Sequence, residues 1–122
     1  MDINRYAFYG TLRRGMENHT RFADFLRYRY SFWVPGYRMH SVGDYPCVIP
    51  ASPANFVLCE IMDVASGAVR QAIHHLEEEA GYRFGEVGLR GERVGIFYFD
   101  AVENFLEVKS GDWVQFFGAH GR

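Results

Sequence analysis

Short apolar runs closed by glycine or proline alternate along the chain with two stretches in which apolar residues recur every three or four positions. Residues 3–9 are the first run and stop at Gly10-Thr11-Leu12, which predicts a strand ending in a glycine turn. Over residues 18–28, Phe22, Phe25 and Leu26 repeat at helical spacing while Arg21, Asp24 and Arg27 fall off that face. This predicts a helix with Asn18 as its cap. Residues 30–42 are strand-like but broken at Pro35-Gly36, and residues 45–50, bounded by prolines, predict an irregular segment. A strand follows over residues 56–64. Ser66 then caps a second helix running to about Glu79 and ended by Gly81, with Val69, Ala72, Ile73, Leu76 and Ala80 on one side. Residues 87–89 and 94–99 predict two strands joined through Arg90-Gly91-Glu92, and residues 108–113 close the fold.

Several short strands with two main helices at separate points define an α+β fold whose strands curl into a small mixed-strand partial barrel. The 122 residues carry no repeat, linker or low-complexity stretch, so a single domain over residues 1–122 is expected. Composition sharpens this picture in one respect. Aromatic residues make up 17% of the chain beside 13 glycines, a mixture that favours strands closing around a cavity over a helical bundle. A formal net charge of -2 provides no global field to draw nucleic acid or an anionic membrane. The local basic cluster of Arg13-Arg14 and residues 27–29 reads as a solvated face. Residues 1–5 carry an acid and a base and lead into no signal-type apolar region, and no apolar run approaches the ~18 residues of a membrane span. A cytoplasmic protein is the expectation. Without a secretory context, Cys47 and Cys59 read as unpaired thiols.

Most familiar chemical motifs are excluded by what stands at their key positions. Gly10 and Gly15 have the glycine spacing of a phosphate-binding loop, but Met16-Glu17 replace the lysine and hydroxyl residue that reach phosphate and magnesium. His74 and His75 are adjacent on a predicted helix and point about 100° apart, so they do not share a metal as i,i+4 histidines do. No metal or cofactor is expected. Two features remain. In Glu77-Glu78-Glu79, Glu78 lies opposite the apolar stripe while Glu77 and Glu79 each sit at its border, where a carboxylate at the rim of an apolar cavity would exchange protons near neutral pH. In Tyr9-Gly10-Thr11-Leu12, glycine lets successive N–H groups face a cavity and hold a carboxylate or an oxyanion. The plain alternatives are a solvated helix face and an ordinary strand-ending turn.

These residues fall into a recognisable order. Phe8-Tyr9-Gly10-Thr11-Leu12-Arg13-Arg14-Gly15 followed by Asn18-His19 resembles the Y-G-[TS]-L-x-x-G…N-H opening of the gamma-glutamylcyclotransferase-like family, which includes AIG2-like proteins. Gly36-Tyr37-x-Met39 with Gly43-Asp44-Tyr45-Pro46, the helix segment Ile73 to Glu77, and Ser110-Gly111-Asp112-Trp113 resemble three further segments of that family, in the same order. The resemblance implies a cofactor-independent enzyme that cleaves a gamma-glutamyl amide by attack of the substrate's own alpha-amine, releasing 5-oxoproline and a free amine. It assigns Tyr9, Gly10, Thr11 and Leu12 to binding the glutamyl moiety and Glu77 to general acid/base catalysis, with Glu79 as second candidate. It further implies that Tyr9, with Tyr45, Tyr82 and Tyr98, lines a small dry pocket. His74, Glu78 and Phe84 depart from the pattern, where the family has Asp, Gly and often Arg. A second register along the helix puts Ala80 at the catalytic position. The partner expected is a small gamma-glutamyl substrate, with neither nucleic acid nor membrane. The competing reading is a non-catalytic module that binds a small carboxylate or another protein.

Overall fold

The computed structural model describes residues 3–120; Met1 and Asp2, part of the segment read as lacking a signal region, lie outside them. A five-stranded sheet forms the centre. Its core is β5 (Phe56–Val64), flanked by antiparallel partners β1 (Arg5–Phe8) and β2 (Leu26–Pro35). On the far side of β1 lie β7 (Glu92–Tyr98), parallel to it, and β6 (Arg83–Leu89), giving the order β2-β5-β1-β7-β6. β5 is buried on both faces, so it reads as a nearly continuous apolar run: Val57, Cys59, Ile61, Met62 and Val64 are fully enclosed. A smaller sheet is built from β3 (Tyr37–Ser41), β4 (Pro46–Pro50) and β8 (Leu106–Glu107), in the order β4-β3-β8. A main-chain bond joins it to the end of β7, Phe99 N–H donating to Val48 O at 2.9 Å, and the segment after β8 is held to β5 by Leu58 N–H donating to Gly111 O at 2.8 Å. The strands thereby curl around one core.

The helix α2 (Gly67–Glu79) follows its sequence signals closely. The Ser66 hydroxyl oxygen accepts the Val69 N–H at 3.2 Å, and Gly81 adopts φ +101° just past the end, the left-handed conformation that stops a helix at little steric cost. Ile73 is the residue that this helix buries completely against the sheet.

Three expectations are corrected. The helix read over residues 18–28 is only α1 (Glu17–Phe22), followed by a 3-10 turn (Ala23–Phe25), after which β2 begins at Leu26. Phe22, Phe25 and Leu26 do have helical spacing, but from Leu26 the chain is rich in alternating aromatic and polar residues. It pairs with β5 from Leu26 opposite Val64 to Pro35 opposite Phe56, and that long ladder prevails over a short local period. Asn18 accordingly lies inside α1 and does not cap it. Residues 45–50, read as irregular, contain β4; its prolines stand at the two ends of an edge strand, where a missing N–H is tolerated. The closing tail adds a third helix, α3 (Trp113–His120), whose first turn is capped by Asp112 Oδ1 accepting the Gln115 N–H at 3.2 Å. No helix among the described residues is long and apolar enough to cross a membrane.

Gly111 shows why the Ser110 to Trp113 segment has its sequence. Its φ is +69°, and a Cβ there would stand 2.3 Å from the Phe56 carbonyl oxygen, while its own carbonyl holds β5. Gly111→Ala is expected to lower unfolding free energy by about 3 kcal/mol in chemical denaturation. A change within ~0.5 kcal/mol would mean that the segment moves aside freely.

Candidate active site

β1 delivers the chain into the loop Tyr9-Gly10-Thr11-Leu12, and the loop's geometry is set by three kinds of contact. Its carbonyls take up the turn bonds: Arg13 N–H donates to Gly10 O and His19 N–H donates to Thr11 O, both at 3.0 Å. None of these turn bonds uses the N–H groups of Gly10, Thr11 or Leu12. The Asn18 side-chain amide donates to Thr11 Oγ1 at 2.8 Å, so α1 steadies the loop from one side. On the other side Gly10 lies against Pro46, whose Cγ would be 2.7 Å from a Cβ at position 10. Glycine is required here for close approach and not for a left-handed φ. Gly10→Ala is expected to cost about 2 kcal/mol by overpacking and to displace the loop; thermal unfolding equal to wild type would show that Pro46 yields.

Behind the loop runs a buried ion network. Arg13, only 7% exposed, donates from Nε to Glu60 Oε2 at 3.2 Å and from Nη1 to Asp112 Oδ1 at 2.8 Å. The second oxygen of Glu60 accepts the Arg14 N–H at 2.8 Å and its Nε at 3.2 Å, and the Arg14 guanidinium lies 3.6 Å from the centre of the Tyr28 ring. β5, the loop and the cap of α3 are thus tied at one point. Of the arginines read as a solvated basic face, Arg13 is buried in this network, whereas Arg14, Arg27 and Arg29 are exposed, the last two on β2 and not on a helix.

In front of the loop opens a cavity of about 270 Å³. Tyr9, Gly10, Thr11 and Leu12 line one wall, and α2 supplies Leu76, Glu77 and Ala80 to another. Glu77 is half-buried, and desolvation pushes its carboxyl up to about 7 from 4.5. Among the described residues its carboxylate enters no hydrogen bond or ion pair, so burial alone accounts for the rise. Tyr9 and Tyr82 also line the cavity, but their hydroxyls donate to backbone: Tyr9 to Phe97 O at 2.6 Å and Tyr82 to Pro46 O. Burial raises both phenols, and the neighbouring Glu77 charge adds to the rise, so both stay protonated and serve as walls. Tyr45 completes the aromatic lining, with its ring centre 6.2 Å from that of Tyr82.

The acidic triplet separates cleanly. Glu78 and Glu79 are exposed, and Glu79 lies 3.5 Å from His75 Nε2 on the outer face of α2, away from the cavity. Tyr98, expected among the lining rings, packs instead against Gly85 outside the cavity. The three departures from the family pattern also lie off this site. His74 meets Phe84 with ring centres 4.5 Å apart and shares a 2.9 Å hydrogen bond with Tyr6, in a cleft between α2 and β6. Among the described residues no group of three or more His, Cys, Asp or Glu side chains could hold a metal ion. Both cysteines are buried free thiols.

A strand-ending glycine loop and one desolvated carboxylate thus share a small, aromatic-lined cavity in an α+β fold. Residues 6–115 match the family described as "Gamma-glutamyl cyclotransferase, AIG2-like", and the chain belongs to that family. Solved structures agree on the fold. An uncharacterised Pyrococcus horikoshii protein, PH0828, superposes with a TM-score of 0.81 at 22% identity, covering 98% of this chain and 97% of its own. The protein c4763, specific to uropathogenic Escherichia coli, gives 0.79 at 25% identity over 97% and 98%. An AIG2-like protein from Mus musculus gives 0.58 at 17% identity over 84% and 79%. No curated protein sequence matches the chain.

Proposed function

We propose that this protein is a gamma-glutamylcyclotransferase-like enzyme that releases 5-oxoproline and a free amine from a gamma-glutamyl amide. One observation carries the reading: Glu77, raised to about 7 by desolvation, shares a cavity with the Tyr9 to Leu12 loop. The reaction joins two ends of one molecule, so binding in a bent conformation supplies much of the rate. Main-chain N–H groups of the loop hold the glutamyl moiety. Glu77 as carboxylate takes a proton from the alpha-ammonium, and the freed amine attacks the gamma-carbonyl carbon. Glu77, now a carboxylic acid, protonates the departing nitrogen as its bond to carbon breaks. The restored carboxylate accepts the remaining excess proton from the ring nitrogen and passes it to the released amine or to water. A pKa near neutrality suits a group that must act as both base and acid. The competing idea of a non-catalytic module predicts a filled pocket with Glu77 in solvent; an open cavity holding this carboxylate favours the enzyme.

The test is a panel of gamma-glutamyl amines and gamma-glutamyl peptides incubated with the purified protein, with 5-oxoproline quantified. Release from at least one amide is expected. No release from any would remove the reaction.

A further inference from the structure

The charge pattern at the mouth of the cavity bears on which amine leaves, an inference that rests on the proposed reaction. Glu17, from the first turn of α1, and Asp44, from the loop between β3 and β4, both line the cavity and both are exposed. With Glu77 they bring three carboxylates to one opening. Among the described residues no Lys, Arg or His lines this cavity. The two arginines nearest the loop are held elsewhere, Arg13 by Glu60 and Asp112 and Arg14 by Glu60 and Tyr28. Glu17 has a local reason to be acidic at a helix start, but Asp44 does not, and among the described residues neither is drawn into an ion pair. Tyr45 lines the same cavity, and an aromatic ring is a favourable neighbour for a cation.

We infer that the substrate is a gamma-glutamyl amide whose leaving amine carries a second, positively charged amino group and no carboxylate, with Glu17 and Asp44 receiving that cation. A leaving group ending in a carboxylate would enter an opening of its own sign with no basic residue to pair it, and like charges so placed discriminate strongly.

The experiment uses gamma-glutamyl amides of putrescine, butylamine and gamma-aminobutyrate, which have equal chain length and end in a cation, a neutral group and an anion. The cationic amide is expected to exceed the anionic one by about tenfold or more in kcat/KM at low salt, with the neutral one between. The ratio should fall as salt rises and collapse toward one in the double variant Glu17→Gln/Asp44→Asn. If that variant does not fold, the salt dependence of the wild-type ratio decides. Turnover of all three amides at equal rates, or fastest for the anionic one, would overturn the charge inference and leave the reaction standing. If none releases 5-oxoproline, the proposed reaction fails, and calorimetric binding of the three amides to wild type still decides the charge question: cation tightest upholds it, any other order overturns it.

Discussion

Glu77→Gln is expected to lower kcat for 5-oxoproline release by about 10²- to 10⁴-fold, the usual share of a general acid/base, with KM changed much less. Glutamine keeps the size and polarity of the side chain but cannot take the alpha-ammonium proton or return it to the leaving nitrogen. In the wild type, kcat/KM should rise with pH through about 7, because burial holds Glu77 protonated until then. The same shift has a sign in stability. The folded pKa lies above the ordinary 4.5, so the uncharged carboxyl favours the folded state at low pH and that advantage is lost as pH rises from 4.5 through about 7. Glu77→Gln should therefore match wild type in stability below that window and exceed it by about 2 kcal/mol at pH 8, somewhat less than the full shift implies because the carboxylate borders an open cavity. Urea unfolding at the two pH values measures the difference. A variant less stable than wild type at pH 8 would mean the charged carboxylate is welcomed by its surroundings.

Arg13→Leu is expected to destabilise the fold as strongly as Gly111→Ala does. The change leaves Glu60, with its side chain 5% exposed, facing an apolar group on one oxygen, and frees Asp112 at the start of α3. Removing one partner from a buried ion pair typically costs about 3–5 kcal/mol, because the remaining charge stays out of water. Arg14 still serves the other Glu60 oxygen, which places the expected loss near ~3 kcal/mol. Since Arg13 directly follows the loop, KM for a gamma-glutamyl amide should rise as well. The double variant Arg13→Leu/Glu60→Leu should regain part of the stability, as an apolar pair of similar volume no longer strands a charge. A loss below ~1 kcal/mol in the single variant would show that Arg14 alone satisfies Glu60.

The parts of the molecule legible in the sequence are those governed by local rules. β1 and its glycine loop, the apolar run of β5, and α2 with its Ser66 cap and Gly81 stop each carry their signal within a dozen residues. The position of Glu77 at the border of the apolar stripe also follows from helical spacing, and its nearness to the loop from family order. What could not be read depends on distance along the chain. The ladder that turns residues 26–35 into β2 needs β5 as partner, and nothing within residues 18–28 announces it. Arg13 and Glu60 are 47 positions apart, so nothing near Arg13 in the chain announces its buried partner. Gly10 was read for its backbone freedom, whereas its reason is Pro46, brought against it by the small sheet. One signal was available and unused: Asp112 before an apolar run is a helix start. The separation of Glu77 from Glu79 required the fold, since both lie equally far from the stripe's centre on an ideal helix.

The central claim is that the substrate's own amine, and not water, attacks the gamma-carbonyl. The direct measurement is turnover of a gamma-glutamyl amide in water labelled with heavy oxygen, with products resolved by mass spectrometry. Unlabelled 5-oxoproline as the product, formed far more slowly in Glu77→Gln, is predicted, because ring closure brings in no solvent oxygen. Glutamate carrying one heavy oxygen in its side-chain carboxylate would show hydrolysis and contradict the account.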